Sequence, residues 1–99
     1  MRILIAEDQP ELRRMLVKNL TAVGYTVDGV PDGAEALAYL DAAAYDAAVL
    51  DIMMPGSLDG LAVCKELRQK NATIGIIMLT AKTQEMDKVT GLMTCLLYT

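Results

Sequence analysis

Apolar residues in this chain come in short runs that stop abruptly at polar groups. Ile3–Ala6 is followed by Glu7-Asp8, Ala47–Leu50 by Asp51, and Ile74–Leu79 by Thr80-Ala81-Lys82. Runs of this length, rich in β-branched residues and bounded by turn formers, predict buried strands of a parallel sheet. Tyr25–Val30 reads as a further, weaker strand. Between the runs the period changes to that of a helix. Pro10 suits a first helical turn. Leu12, Met15, Leu16 and Leu20 then recur at helical spacing, with Arg13, Arg14 and Lys18 assigned to the opposite face and Gly24 to a left-handed stop. Asp32, with Glu35 three residues later, opens a second helix that runs to about Ala43. Asp59-Gly60 opens a third, with Leu61, Cys64 and Leu67 inward, and Thr83 a fourth, with Met86, Val89 and Met93. Strand and helix thus alternate four times. Such alternation predicts an α/β, doubly wound parallel sheet with right-handed crossovers and helices on both faces.

Composition narrows the chemistry. The chain is 54% hydrophobic yet has no Phe, Trp or His, so Ala, Leu, Met and Val must fill the core. Met15, Met53 and Met78 are read as adaptable filler. A net charge of −4 argues against a nucleic-acid surface in this domain. Without His or a Cys cluster a zinc site is excluded, whereas an oxygen-ligand site for Mg²⁺ is not. Cys64 and Cys95 form no CxxC and lie in apolar surroundings, which predicts two reduced, buried thiols. Met1–Ile5 runs straight into acids, so it reads as a strand rather than a signal peptide. No apolar stretch approaches the ~18 residues of a membrane span. The expectation is one cytoplasmic domain over residues 1–99.

The candidate chemistry lies where the runs end. In an open α/β sheet, ligands bind beyond the carboxyl ends of the strands, at the crevice between the first and third. Glu7, Asp8 and Asp51 would meet there, with Thr80 one strand over. Carboxylates sharing a crevice repel each other, and Mg²⁺ relieves that repulsion while leaving positions for phosphate oxygens. Asp51 can then attack a phosphoryl group, and Thr80 can donate a hydrogen bond to it. Blander readings stand beside this one. Asp51 could cap a turn, and Glu7-Asp8 could favour the positive end of a helix. Asp59-Gly60 is read as a turn and helix start, Lys82 as a solvated loop lysine, and Gly29 and Gly33 as turn glycines.

Ile5-Ala6-Glu7-Asp8, Leu50-Asp51-Ile52-Met53-Met54-Pro55, Asp59-Gly60 and Leu79-Thr80-Ala81, in this order and spacing, give a specific match. Over about residues 1–92 the chain resembles the receiver domain of bacterial two-component response regulators; residues 93–99 form an atypical tail. The resemblance implies a flavodoxin-like (CheY-like) topology with strand order 2-1-3-4. It implies that Asp51 accepts phosphate from a sensor histidine kinase. Mg²⁺ would be bound by Asp8, Asp51 and the main-chain oxygen of Met53, with Glu7 acting through water and Thr80 as switch residue. The motif style is most similar to regulators that carry a DNA-binding domain.

Two departures qualify the match. Pro55-Gly56-Ser57-Leu58-Asp59-Gly60 is one residue longer than the family pattern between Pro and Asp-Gly. The family's fifth strand, with its Lys-Pro, and fifth helix would fall beyond Thr99, so the chain reads as a C-terminally truncated form in which Lys82 cannot substitute. The tail is read as a continued helix, with a short substitute strand as the alternative. The fourth-strand edge or the tail is then a candidate homodimer contact. An inert receiver-like interaction module is the competing function. A strand-end-aspartate phosphatase would need a second acid where Met53 stands, and a flavin module would need a Ser/Thr/Gly-rich loop in place of Glu7–Pro10.

Overall fold

Each strand must return to the same edge of the sheet before the next can pair in parallel, and the intervening helices make that return. The computed structural model describes residues 1–54, 56, 58–70 and 73–79. It contains β1 (Arg2–Ala6), α1 (Pro10–Val23), β2 (Thr26–Val30), α2 (Gly33–Ala42), β3 (Ala47–Asp51), α3 (Gly60–Lys70) and β4 (Gly75–Leu79). The strands form one sheet, parallel as the alternating pattern predicts and in the order β2-β1-β3-β4 that the resemblance implies. The expected fourth helix, the tail, Thr80, Lys82 and Cys95 lie outside the described residues.

Pleating sends neighbouring side chains to opposite faces. Leu4, Ala6, Ala48 and Leu50 point to one side, where α2 and α3 bury them completely together with Val30, Ala36 and Val63. Ile3, Ile5 and Val49 point to the other, under Leu16, Val17 and Leu20 of α1. The helix boundaries follow local chemistry. Pro10 opens α1, and Gly24 closes it at φ 115°, its N–H donating to the Leu20 and Thr21 carbonyls. Asp32 caps α2 by accepting the Glu35 N–H at 2.8 Å. Asp59 accepts the Ala62 N–H at 2.9 Å at the start of α3.

Packing overrides several expectations from pattern. Met78 is buried as predicted, but Met15 and Met53 are 50% and 49% exposed. The inward stripe of α1 runs through Leu16, Val17 and Leu20, which turns Met15 outward. Arg13 lies partly buried on that same stripe, not on the solvent face. Gly29 serves no turn. It sits within β2, where a Cβ would come 2.9 Å from Val17 Cγ2 and 3.1 Å from Arg13 Cγ, so its bareness lets α1 approach. Gly33 is likewise a close contact, because a Cβ there would meet the Leu58 carbonyl oxygen at 2.2 Å. Cys64 is buried as expected but is disulfide-bonded, not a free thiol. Apolar neighbours in sequence do not reveal what approaches a thiol through space.

Candidate functional site

β1 and β3 lie side by side at the middle of the sheet, with Ala6 opposite Leu50. Their carboxyl ends therefore open into one crevice. Glu7 continues the line of β1, its N–H donating to the Val30 carbonyl at 3.0 Å. Asp51 is the last residue of β3, paired with Leu79 of β4. One carboxylate oxygen each from Glu7, Asp8 and Asp51 come together, all within 4.8 Å of one another. Glu7 and Asp51 are only 3% and 4% exposed, and Asp8 is half-buried.

Among the described residues, the donors are too few for three charges. The Gln9 N–H donates to Glu7 Oε2, and the Met53 N–H to Asp51 Oδ1, each at 3.0 Å. The ion pairs among the described residues join Arg2 to Asp28 and Lys70 to Asp41, both away from the crevice. Burial is the main force raising the Glu7 carboxyl to a pKa of about 7; the Gln9 N–H opposes it, and Asp8 and Asp51 add to it. Asp51 is also raised, mainly by burial and against the Met53 N–H, with Asp8 adding to the rise. Asp51 raises Glu7, whereas Glu7 lowers Asp51. Both acids are thus held above the usual carboxylate range, chiefly by withdrawal from water.

Clustered, buried, oxygen-only donors suit a hard divalent cation such as Mg²⁺, which takes a few carboxylates and keeps water in its remaining positions. Asp8 and Asp51 can offer carboxylate oxygens to it, and Glu7 lies beside them. The cation would offset the cost of holding these carboxylates as anions away from water. The residues present fit such a group.

Glu7, Asp8 and Asp51 thus converge as the sequence predicts, and Met53 touches the cluster through its N–H. Thr80 lies outside the described residues, immediately after Leu79. Two features of the site escaped the sequence reading. Gly60 was assigned to a turn and helix start, but it also presses on β3: a Cβ there would lie 2.3 Å from the Asp51 carbonyl oxygen. Arg13 reaches from α1 to donate to the Glu7 carbonyl at 2.7 Å. Its spacing of three, four and seven residues from Leu16, Val17 and Leu20 carried that signal, since these positions share one helical face.

Comparison with known proteins agrees with this geometry. A family model described as the response regulator receiver domain matches residues 3–95. The chain is 45% identical over 91 residues to the transcriptional regulatory protein TcrA of Mycobacterium tuberculosis, covering 92% of this chain and 36% of that protein. It therefore spans little more than a third of that relative's length. Among solved structures, response regulator TrrA from Thermotoga maritima in complex with Mg²⁺-BeF superposes with a TM-score of 0.81 at 38% identity, over 90% of this chain and 76% of that one. A complex of histidine kinase ThkA with TrrA matches at a TM-score of 0.77 and 41% identity, over 84% and 71% of the two chains.

Proposed function

The chain belongs to the response regulator receiver domain family, and from that premise we propose that Asp51 is its phosphoacceptor. The observation that carries this reading is the convergence of Glu7, Asp8 and Asp51 within 4.8 Å at the ends of the two central strands. Mg²⁺ would be held by Asp8, Asp51 and the main-chain oxygen of Met53, with Glu7 acting through water. When bound, the cation supplies charge neutralisation for the transferred phosphoryl oxygens.

The chain's own residues account for the rest. The Met53 N–H occupies Asp51 Oδ1, which leaves the other carboxylate oxygen as nucleophile. That oxygen attacks the phosphorus of a phosphohistidine on a sensor kinase. The new O–P bond forms as the P–N bond breaks, and the imidazole leaves with the bonding pair and takes a proton from solvent. Thr80 donates a hydrogen bond to the phosphoryl group and acts as switch; the pairing of Asp51 with Leu79, its chain neighbour, supports this role.

The proposed setting is the cytoplasm, as the regulatory part of a transcriptional response regulator that touches neither nucleic acid nor membrane through this domain. No helix among the described residues is long and apolar enough to cross a membrane. A homodimer through β4 is the proposed second contact. β4 ends the described sheet, and its Ile77 is 52% exposed.

Incubation with acetyl phosphate and Mg²⁺ tests the reading. The protein should gain a single phosphoryl mass that disappears in Asp51→Asn and persists in Asp28→Asn. Label that survives Asp51→Asn would move the chemistry elsewhere. No label on the wild-type chain would favour an interaction module that keeps the fold without phosphorylation.

A further inference from the structure

Glu7 is held at three points. Its N–H donates to the Val30 carbonyl at 3.0 Å, its carboxylate accepts the Gln9 N–H at 3.0 Å, and its own carbonyl accepts from Arg13 Nη1 at 2.7 Å. The first two bonds come from the sheet edge and the turn. The third comes from a helix four residues into α1 and carries a full charge, which makes it the strongest kind of hydrogen bond available there. The Glu7 carbonyl belongs to the peptide that also carries the Asp8 N–H. Capturing it fixes the rotation of that peptide plane, and with it the directions in which both side chains leave the backbone.

We propose that Arg13 is a positioning residue for the acidic cluster, acting through the Glu7 carbonyl to aim Glu7 and Asp8 at Asp51. Its consequence for metal uptake rests on the Mg²⁺ reading given above. The hold depends on a second position. Gly29 of β2 lies beneath the Arg13 stem, and a Cβ there would come 3.1 Å from Arg13 Cγ and 2.9 Å from Val17 Cγ2. A bare strand position lets α1 sit close enough for the guanidinium to span to the end of β1. Arg13 and Gly29 therefore form one device, the arginine supplying the donor and the glycine its clearance.

The test has a metal-free and a metal-bound part, both on the full chain. In metal-free protein, the ¹³C shift of the Glu7 carbonyl reports the bond directly. Arg13→Met should move it upfield, Arg13→Lys should recover part of the change, and Gly29→Ala should reproduce the loss by displacing the stem. In the second part, Mg²⁺ is titrated by calorimetry into each variant well below its melting temperature. Arg13→Met should weaken binding by about tenfold, as loss of a group that orients a metal ligand does, with partial rescue by Arg13→Lys. Val17→Ala, on the same helix face but without a bond to Glu7, should lower the melting temperature and leave Mg²⁺ affinity within about twofold, since it orients no ligand. The proposal is overturned if Arg13→Met leaves the Glu7 carbonyl shift unchanged. It is equally overturned if Val17→Ala weakens Mg²⁺ binding as much as Arg13→Met does. If the wild-type chain takes up no Mg²⁺, the metal reading of the site fails, and the metal-free carbonyl shift alone decides the role of Arg13.

Discussion

The two ends of this sheet treat charge in opposite ways. At the amino end, Arg2 lies 3.1 Å from Asp28 and 4.9 Å over the ring of Tyr45, whose hydroxyl donates to Asp28 at 2.6 Å. The Arg2 N–H donates to Asp46 at 2.8 Å. Each charge there has a partner within the chain, and the Tyr45 hydroxyl bond is the main cause holding Asp28 below the usual carboxylate range. At the carboxyl end, Glu7, Asp8 and Asp51 meet without an ion pair among the described residues, and Glu7 and Asp51 are raised. One end is electrostatically closed. The other is left open among the described residues, with perturbed acids gathered in one crevice, which is the form a binding site takes.

Backbone crowding should separate the two ends most sharply. Gly60→Ala places a Cβ against the Asp51 carbonyl, which cannot yield without moving β3 or α3, and should cost about 3 kcal/mol or more. Gly75→Ala, at the amino end of β4, meets nothing closer than 3.6 Å and should be nearly neutral. Chemical denaturation of both variants checks this contrast, and equal losses would mean that the carboxyl end is no more tightly built than the other.

Next in size is the response to pH. Glu7 has its folded pKa raised from 4.5 to about 7. Between those values the unfolded chain has lost a proton that the folded chain keeps, so stability falls as pH rises. The loss should be on the order of 1–3 kcal/mol and complete once pH passes the folded value. Millimolar Mg²⁺ should restore it, and Glu7→Gln should reduce the slope, leaving the smaller part that Asp51 contributes with the same sign. Asp28 acts with the opposite sign: its lowered pKa gives stability that is present above the unfolded value and lost as pH falls through the folded one. Denaturant midpoints from well below pH 3.8 to above pH 7, in wild type and Asp28→Asn, resolve the two contributions.

The smallest contrast comes from removing single polar groups at pH 7.5 without metal. Asp51→Asn removes a carboxylate whose pKa burial raises, and should stabilise the protein. Tyr45→Phe removes a hydroxyl bonded to a charged acceptor and should destabilise it by about 1–2 kcal/mol. Mg²⁺ affinity should vanish in the first and stay unchanged in the second. A Tyr45→Phe variant with altered Mg²⁺ binding would show that the two ends communicate through the strands.

Much of this arrangement is legible along the chain because it is local. Alternating apolar runs and helical stripes placed all four strands within a residue or so, and Pro10, Gly24, Asp32 and Asp59 marked helix ends through bonds to residues no more than four away. The acids were legible too, since each follows directly on a strand. The errors at Met15, Met53, Arg13, Gly29 and Gly33 share one cause. Each residue's role depends on another element that folding brings against it: Arg13 on the end of β1, Gly29 on α1, Gly33 on Leu58.

By itself the sequence determined that strands and helices alternate, that the sheet is parallel and that three carboxylates stand at strand ends. Period and end signals are properties of neighbouring residues, so folding does not alter them. Tertiary structure alone decided how near the carboxylates come, that burial raises both Glu7 and Asp51, and that an arginine on α1 sets the peptide between Glu7 and Asp8. Those outcomes depend on distances of a few ångströms between segments that only the register of β1 with β3 and the seating of α1 over Gly29 bring together. Burial then amplifies each of those distances, because charges withdrawn from water interact far more strongly than the same charges along an extended chain.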